Sequence, residues 1–150
     1  GWDTSAVADM RGMFETASSF NSDFSGWNTS AVTHMEGMFQ YATSFNGDMS
    51  QWDISAVTSM SGMFNGASSF NGDLNGWDTS AVTDMQFMFE NAVQFNQFLC
   101  WNISSAGGTN PPEATRGCSL LPTSAGMYIQ MPSLRYIPFT AGALAFFLMN

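Results

Sequence analysis

"GWDTSAVADMRGMFETASSFNSDFS" spans residues 1–25, and three near-copies follow without a gap: "GWNTSAVTHMEGMFQYATSFNGDMS" at 26–50, "QWDISAVTSMSGMFNGASSFNGDLN" at 51–75 and "GWDTSAVTDMQFMFENAVQFNQFLC" at 76–100. Self-similarity at a fixed period of this length marks a repeat architecture, in which one unit cannot bury its apolar face alone. The register is set by columns of identical side chains. Trp2, Trp27, Trp52 and Trp77 align, as do Val7, Val32, Val57 and Val82. Met10, Met13, Phe14, Ala17 and Phe20 recur in the same way in every copy. A fifth copy starts one residue early at "WNIS", 101–104, and then dissolves into "SAGGTNPPEATRG".

Each copy has two parts. Val, Met, Met-Phe and Ala fall near i, i+3, i+7 and i+10, one face of a short helix, with Thr or Ser upstream to cap it. Gly12, Gly37 and Gly62 limit that helix to two or three turns. The remainder, Phe-Asn-Gly-Asp-Leu-Ser-Gly-Trp-Asp in outline, has a turn at Asn-Gly-Asp. The "DLSGWD"-like stretch then reads as a short parallel strand. Stacked coils turn each column into a continuous ladder. Buried Trp, Phe and Met at roughly 1.5–3 kcal/mol per side chain outweigh the poor helix propensity of a glycine-containing segment. The methionines, which in another setting suggest a soft-metal site, read here as core filler.

The pattern W-[DN]-x-S-x-V-T-x-M-x-G-M-F-x-x-A-x-x-F-N-x-D-[LMF]-S resembles the surface-protein repeat of mycoplasma lipoproteins and related bacterial and microalgal proteins, grouped with the BspA-like leucine-rich repeats. The resemblance covers residues 1–100. It implies a leucine-rich-repeat-like solenoid of four full coils and a partial fifth over 1–104, with one short strand and one short helix per coil. It also implies an extracellular or cell-surface setting, and it transfers no catalytic residue. The fourth copy departs from the pattern: Phe87 stands for glycine, and Gln97-Phe98 for Gly-Asp. That copy reads as adapted to contact the 105–150 tail, which does not resemble the repeat.

The chain is acidic, with a formal net charge of −9 over 150 residues. Its three basic residues are Arg11, Arg116 and Arg135. A surface this acidic repels phosphate backbones, which argues against nucleic-acid binding. Cys100 and Cys118 read either as two separate buried thiols or, on secretion, as one disulfide closing a short loop after the repeats, and for a secreted chain the disulfide is preferred. Asn28-Thr-Ser and Asn102-Ile-Ser are glycosylation sequons. Neither an initiator methionine nor a signal peptide is visible, which reads as a mature or excised piece.

The polar columns have a binding reading and a structural one. Asn21, Asn46, Asn71 and Asn96 are a ligand-binding edge or a ladder satisfying backbone groups, and the ladder is preferred. Asp23, Asp48 and Asp73, and Asp3, Asp53 and Asp78, would hold calcium or accept N–H bonds from their own turns; the second is preferred, because the dense Asp spacing of calcium loops is missing. His34, the single histidine, occupies a variable position without a nucleophile and acid partner. The chain therefore reads as non-enzymatic, with no cofactor.

In the tail, "MYIQMPSLRYIPF" is apolar but broken by Pro132 and Pro138. "AGALAFFLM" is too short for a bilayer, which needs about 20 residues. Small residues near Ser124, a spacer and an apolar end resemble a lipid-anchor signal, but the tail reads better as retained, capping the last coil or reaching a neighbour. The first coil carries no polar cap, and solenoid ends normally need one. Trp2, Val7, Met10 and Phe14 are expected on an open face, opposite a contact surface at Phe98, Tyr128, Ile137, Phe146 and Phe147. The functional expectation is a structural subunit stacking head to tail with copies of itself into a fibre or surface layer. The alternative is an adhesin-type module binding host, matrix, glycan or other surface-protein ligands.

Overall fold

The computed structural model describes residues 2–24, 26–97, 99 and 101. Each 25-residue copy makes one turn of the chain, and consecutive turns lie against one another in register. The register is written in the backbone. Met10, Gly12, Phe14 and Thr16 donate N–H bonds to the carbonyls of His34, Glu36, Met38 and Gln40, at 3.0, 3.0, 2.9 and 2.7 Å. Gly37, Phe39 and Tyr41 donate likewise to Ser61, Met63 and Asn65, and Gly62, Phe64 and Gly66 to Gln86, Met88 and Glu90. A row of parallel bridges runs Asp9–His34–Ser59–Asp84.

The short helix expected in each copy does not form; among the described residues there is no α-helix, and the segment is a run of turns. Two local facts account for this. Positive φ recurs at Gly12 and Thr16, at Gly37 and Tyr41, at Gly62 and Gly66, and at Phe87 and Asn91. A left-handed residue every fourth position cannot lie in a right-handed helix. Alternate amides are also drawn to the next coil, while those between them close turns: Glu15 N–H to Gly12 O, Ala17 N–H to Phe14 O. The expected strand at "DLSGWD" is likewise a turn, closed by Trp52 N–H to Met49 O and Trp77 N–H to Leu74 O. The inter-coil bridges fall instead on the column of His34.

Apolar side chains fill the centre of each coil. Val32, Met35, Met38, Phe39, Ala42 and Phe45, with their counterparts Val57, Met60, Met63, Phe64, Ala67 and Phe70, have no exposed surface. The phenylalanines form a double file. Within a coil the two rings stack face to face, Phe39 on Phe45 at 3.9 Å and Phe64 on Phe70 at 4.0 Å. Between coils they repeat at 5.8 Å for Phe39 to Phe64 and 5.7 Å for Phe45 to Phe70. Tryptophans ladder alongside, Trp27 on Trp52 at 6.2 Å and Trp77 on Trp101 at 6.0 Å. The indole N–H groups of Trp77 and Trp101 reach back to the carbonyls of Met49 and Leu74.

Burial fades toward the first coil. Trp2 is 76% exposed and Met13 41%, and Val7 and Phe14 are half-buried. Met10 departs from the expected open face: it is 1% exposed. The columns point to the centre of each coil, so Met10 is enclosed by its own turn and by coil two. The contact residues expected at Phe98, Tyr128, Ile137, Phe146 and Phe147, the sequon at Asn102, the Cys100–Cys118 pair and the 105–150 tail lie outside the described residues.

Candidate functional site

The polar columns are mostly occupied in holding the stack. Asn21 Oδ1 accepts the backbone N–H of Asn46, Asn46 that of Asn71, and Asn71 that of Asn96, at 2.9, 2.8 and 3.1 Å. Thr33, Thr58 and Thr83 donate their hydroxyls to the carbonyls of Ala8, Thr33 and Thr58 in the preceding coil. The buried Thr4 and Thr29 donate forward to the carbonyls of Asn28 and Asp53.

The aspartates serve their own turns. Asp3 and Asp53 each accept the hydroxyl and the backbone N–H of the serine two residues on, Ser5 and Ser55. Those donors hold both carboxyls below the usual carboxylate range, and Ser50 and Ser80 do the same for Asp48 and Asp78. Among the described residues no three potential metal ligands cluster. His34 is half-buried, with Nδ1 2.9 Å from the Thr33 hydroxyl. Asn28 is exposed, and its Oδ1 accepts both the N–H and the hydroxyl of Ser30.

One face is different. A groove of about 450 Å³ crosses all four coils, lined by Arg11, Glu15, Glu36, Gln40, Asn65 and Phe87, with glycines at its base. Two variable columns wall it: Arg11, Glu36 and Ser61 on one side, Glu15, Gln40 and Asn65 on the other. Between them run Gly12, Gly37 and Gly62, where positive φ suits glycine. Phe87 ends the row with φ at +58° and 62% exposed. A bulky residue in that region is an outlier.

Side-chain length decides which glycine is open. Glu15 Oε2 lies 3.3 Å from where a Cβ on Gly12 would stand, and Gln40 Oε1 3.1 Å from that on Gly37. Each longer side chain folds over its glycine. Nothing lies within 4 Å of the corresponding point on Gly62. Asn65 is a methylene shorter, and its Nδ2 is drawn off to Glu90 Oε2 at 3.0 Å. A notch is left at Gly62 between Gln40 and Phe87.

The notch is bordered by unpaired acceptors. Asn65 is only 8% exposed, and its Oδ1 is buried without a hydrogen-bond partner; Glu36 Oε2 is in the same condition. The groove's one cation among the described residues is committed elsewhere: Arg11 donates from Nε to both carboxylate oxygens of Asp9, at 2.9 and 3.0 Å, and from a terminal nitrogen to Oδ2. These bonds, with the Arg11 backbone N–H, pull the Asp9 carboxyl down to about 2.

Sequence reasoning singled out Phe87 as a departure but assigned it to contact with the tail, and it passed over Glu36, Gln40 and Asn65. The available signal was variability: these columns change identity from copy to copy while the methionine, phenylalanine and alanine columns among them stay fixed. Of the expected interface residues, Trp2, Val7 and Phe14 lie at the first coil and do not line the groove. Over residues 1–108 the chain matches a family described as "Mycoplasma protein of unknown function, DUF285". No curated protein matches it, and no solved structure does.

Proposed function

The chain belongs to the DUF285 family, and we propose that it is a non-enzymatic display module of the cell surface, a leucine-rich-repeat-like solenoid whose lateral face binds a partner. The observation that carries this reading is the groove at Gly62. Most columns whose side chains hold the stack repeat, whereas the residues that line the groove change over its first three coils, Arg11, Glu36 and Ser61 in one column and Glu15, Gln40 and Asn65 in the other. A purely structural repeat has no need of a different wall at each step, while a recognition surface does. The adhesin-type reading is therefore placed ahead of self-assembly. A non-catalytic role is supported by the settings of His34 and the aspartates, each engaged with its own or a neighbouring turn.

Head-to-tail stacking into a fibre is the second reading, favoured by Trp2. Its ring stacks on Trp27 at 6.4 Å and leaves its other face open, a surface that a further coil of this or another chain would cover. Light scattering and electron microscopy of the isolated chain separate the two. Monomers at high concentration are expected for the display module. Ordered filaments would put stacking in its place.

A further inference from the structure

We infer that the notch at Gly62 binds a protonated amine or guanidinium, the side chain of a lysine or arginine on a basic segment of a partner protein. This rests on the display reading and names the chemistry of its ligand. Three independent features converge. The first is the sign of the unmet hydrogen bonding. Both orphaned buried atoms bordering the groove, Asn65 Oδ1 and Glu36 Oε2, are acceptors, so the complement is a donor. The orientation of Asn65 is fixed by its other end, because Nδ2 donates to the Glu90 carboxylate. An ammonium has three donors and no acceptor, and a guanidinium five.

The second feature is charge. Glu15 and Glu36 line the groove, and Glu90 joins them through Asn65, while Arg11 is tied to Asp9. The local field is negative, within a chain of net charge −9. The third is Phe87. It places an exposed aromatic ring at the end of the notch, where three other copies have glycine. Cations are drawn to the face of such a ring, and the aliphatic stem of lysine or arginine packs on it. A neutral sugar would also use the ring, but it would bring as many acceptors as donors to a border whose unmet groups are acceptors.

The test is calorimetric titration of the full chain with a hexa-arginine peptide, with spermidine and with a neutral hexasaccharide. Phe87→Gly is the decisive variant. It leaves the charge unchanged and installs the residue that suits the backbone, so it folds. The peptide is expected to bind, with Phe87→Gly and Glu36→Gln each weakening it by about fivefold or more, as loss of an aromatic or carboxylate contact requires. Asp78→Asn, which removes an equal charge outside the groove, is expected to change affinity by less than about twofold. The inference is overturned if the peptide does not bind, if Phe87→Gly leaves its affinity intact, or if Asp78→Asn weakens it as much as Glu36→Gln. Spermidine binding in place of the peptide overturns the assignment to a protein side chain. Phe87-dependent binding of the hexasaccharide overturns the cation and leaves the display module standing. The display module itself fails on filaments, whatever the titrations show.

Discussion

Phe87 and Thr16 hold a backbone conformation that their side chains oppose, with φ of +58° and +59°. The left-handed region costs a non-glycine residue roughly 1–2 kcal/mol. Phe87→Gly is therefore expected to raise stability by about 1 kcal/mol, a shift of several degrees in a thermal melt. A lower melting temperature would mean that the ring contributes packing that its 62% exposure does not suggest. The same scale governs pH. Asp9 is held down to about 2 by the Arg11 side chain first, and Asp3, Asp48, Asp53 and Asp78 are lowered by serine donors. A carboxyl whose pKa is lower folded than unfolded contributes stability above its unfolded value, near 3.8, and loses it as pH falls through the folded value. Stability is thus expected to be flat above about pH 5 and to fall between about pH 4 and pH 2. For Asp9→Asn that acid-side loss should be smaller, and an unchanged acid limb in denaturant titrations at pH 2–5 would show that the Arg11 pair contributes nothing measurable.

At the level of the element, the turn replaces the helix because of what alternates along the chain. The sequence spacing of Val7, Met10, Phe14 and Ala17 is compatible with a helical face, and it correctly picks out inward-facing positions. It does not reveal that every second amide bonds to the next coil, since that is a property of the stack and not of one copy. Glycine at 12, 37 and 62 was legible as a helix limit, but the left-handed turns at Thr16 and Tyr41 carry no local signature, because neither residue favours that region. The asparagine ladder was legible because one residue type recurs at one position, and its geometry follows from stacking alone. The notch was not legible, since it depends on Asn65 being one methylene shorter than Gln40 and on its pull toward Glu90. The glycines of coil three allow the turn's two demands to be separated. Gly62→Ala meets open space and incurs only the backbone cost, about 1 kcal/mol. Gly66→Ala incurs the same cost and also drives its Cβ into the ring of Tyr41, so its loss is expected to be larger by about 1–3 kcal/mol. Equal losses in denaturant midpoints would show that the Tyr41 ring moves aside freely.

Across the whole molecule, one column of side chains samples every depth of the stack. Phe39 and Phe64 have no exposed surface, whereas Phe14 is half-buried at the first coil. Phe64 stacks on Phe39 at 5.8 Å, on Phe70 at 4.0 Å and on Phe89 at 5.5 Å. Phe14 has a ring from the next coil on one side, Phe39 at 5.5 Å, and no coil before it among the described residues. Phe64→Ala removes a ring enclosed on both sides and leaves a cavity that neighbouring coils cannot close without breaking register. Its expected cost is about 3–5 kcal/mol. Phe14→Ala opens onto a surface that is already partly solvated, so its cost is expected to be about 1–2 kcal/mol. The comparison bears on assembly, because the two substitutions are the same chemical change in the same column. A first coil exposed in solution gives the unequal pair. A first coil covered by another copy gives nearly equal costs and makes the Phe14→Ala loss depend on protein concentration, since covering by a second molecule follows mass action. Denaturant unfolding of both variants over a hundredfold range of concentration separates these cases, and an equal, concentration-dependent pair would move head-to-tail stacking ahead of the display module.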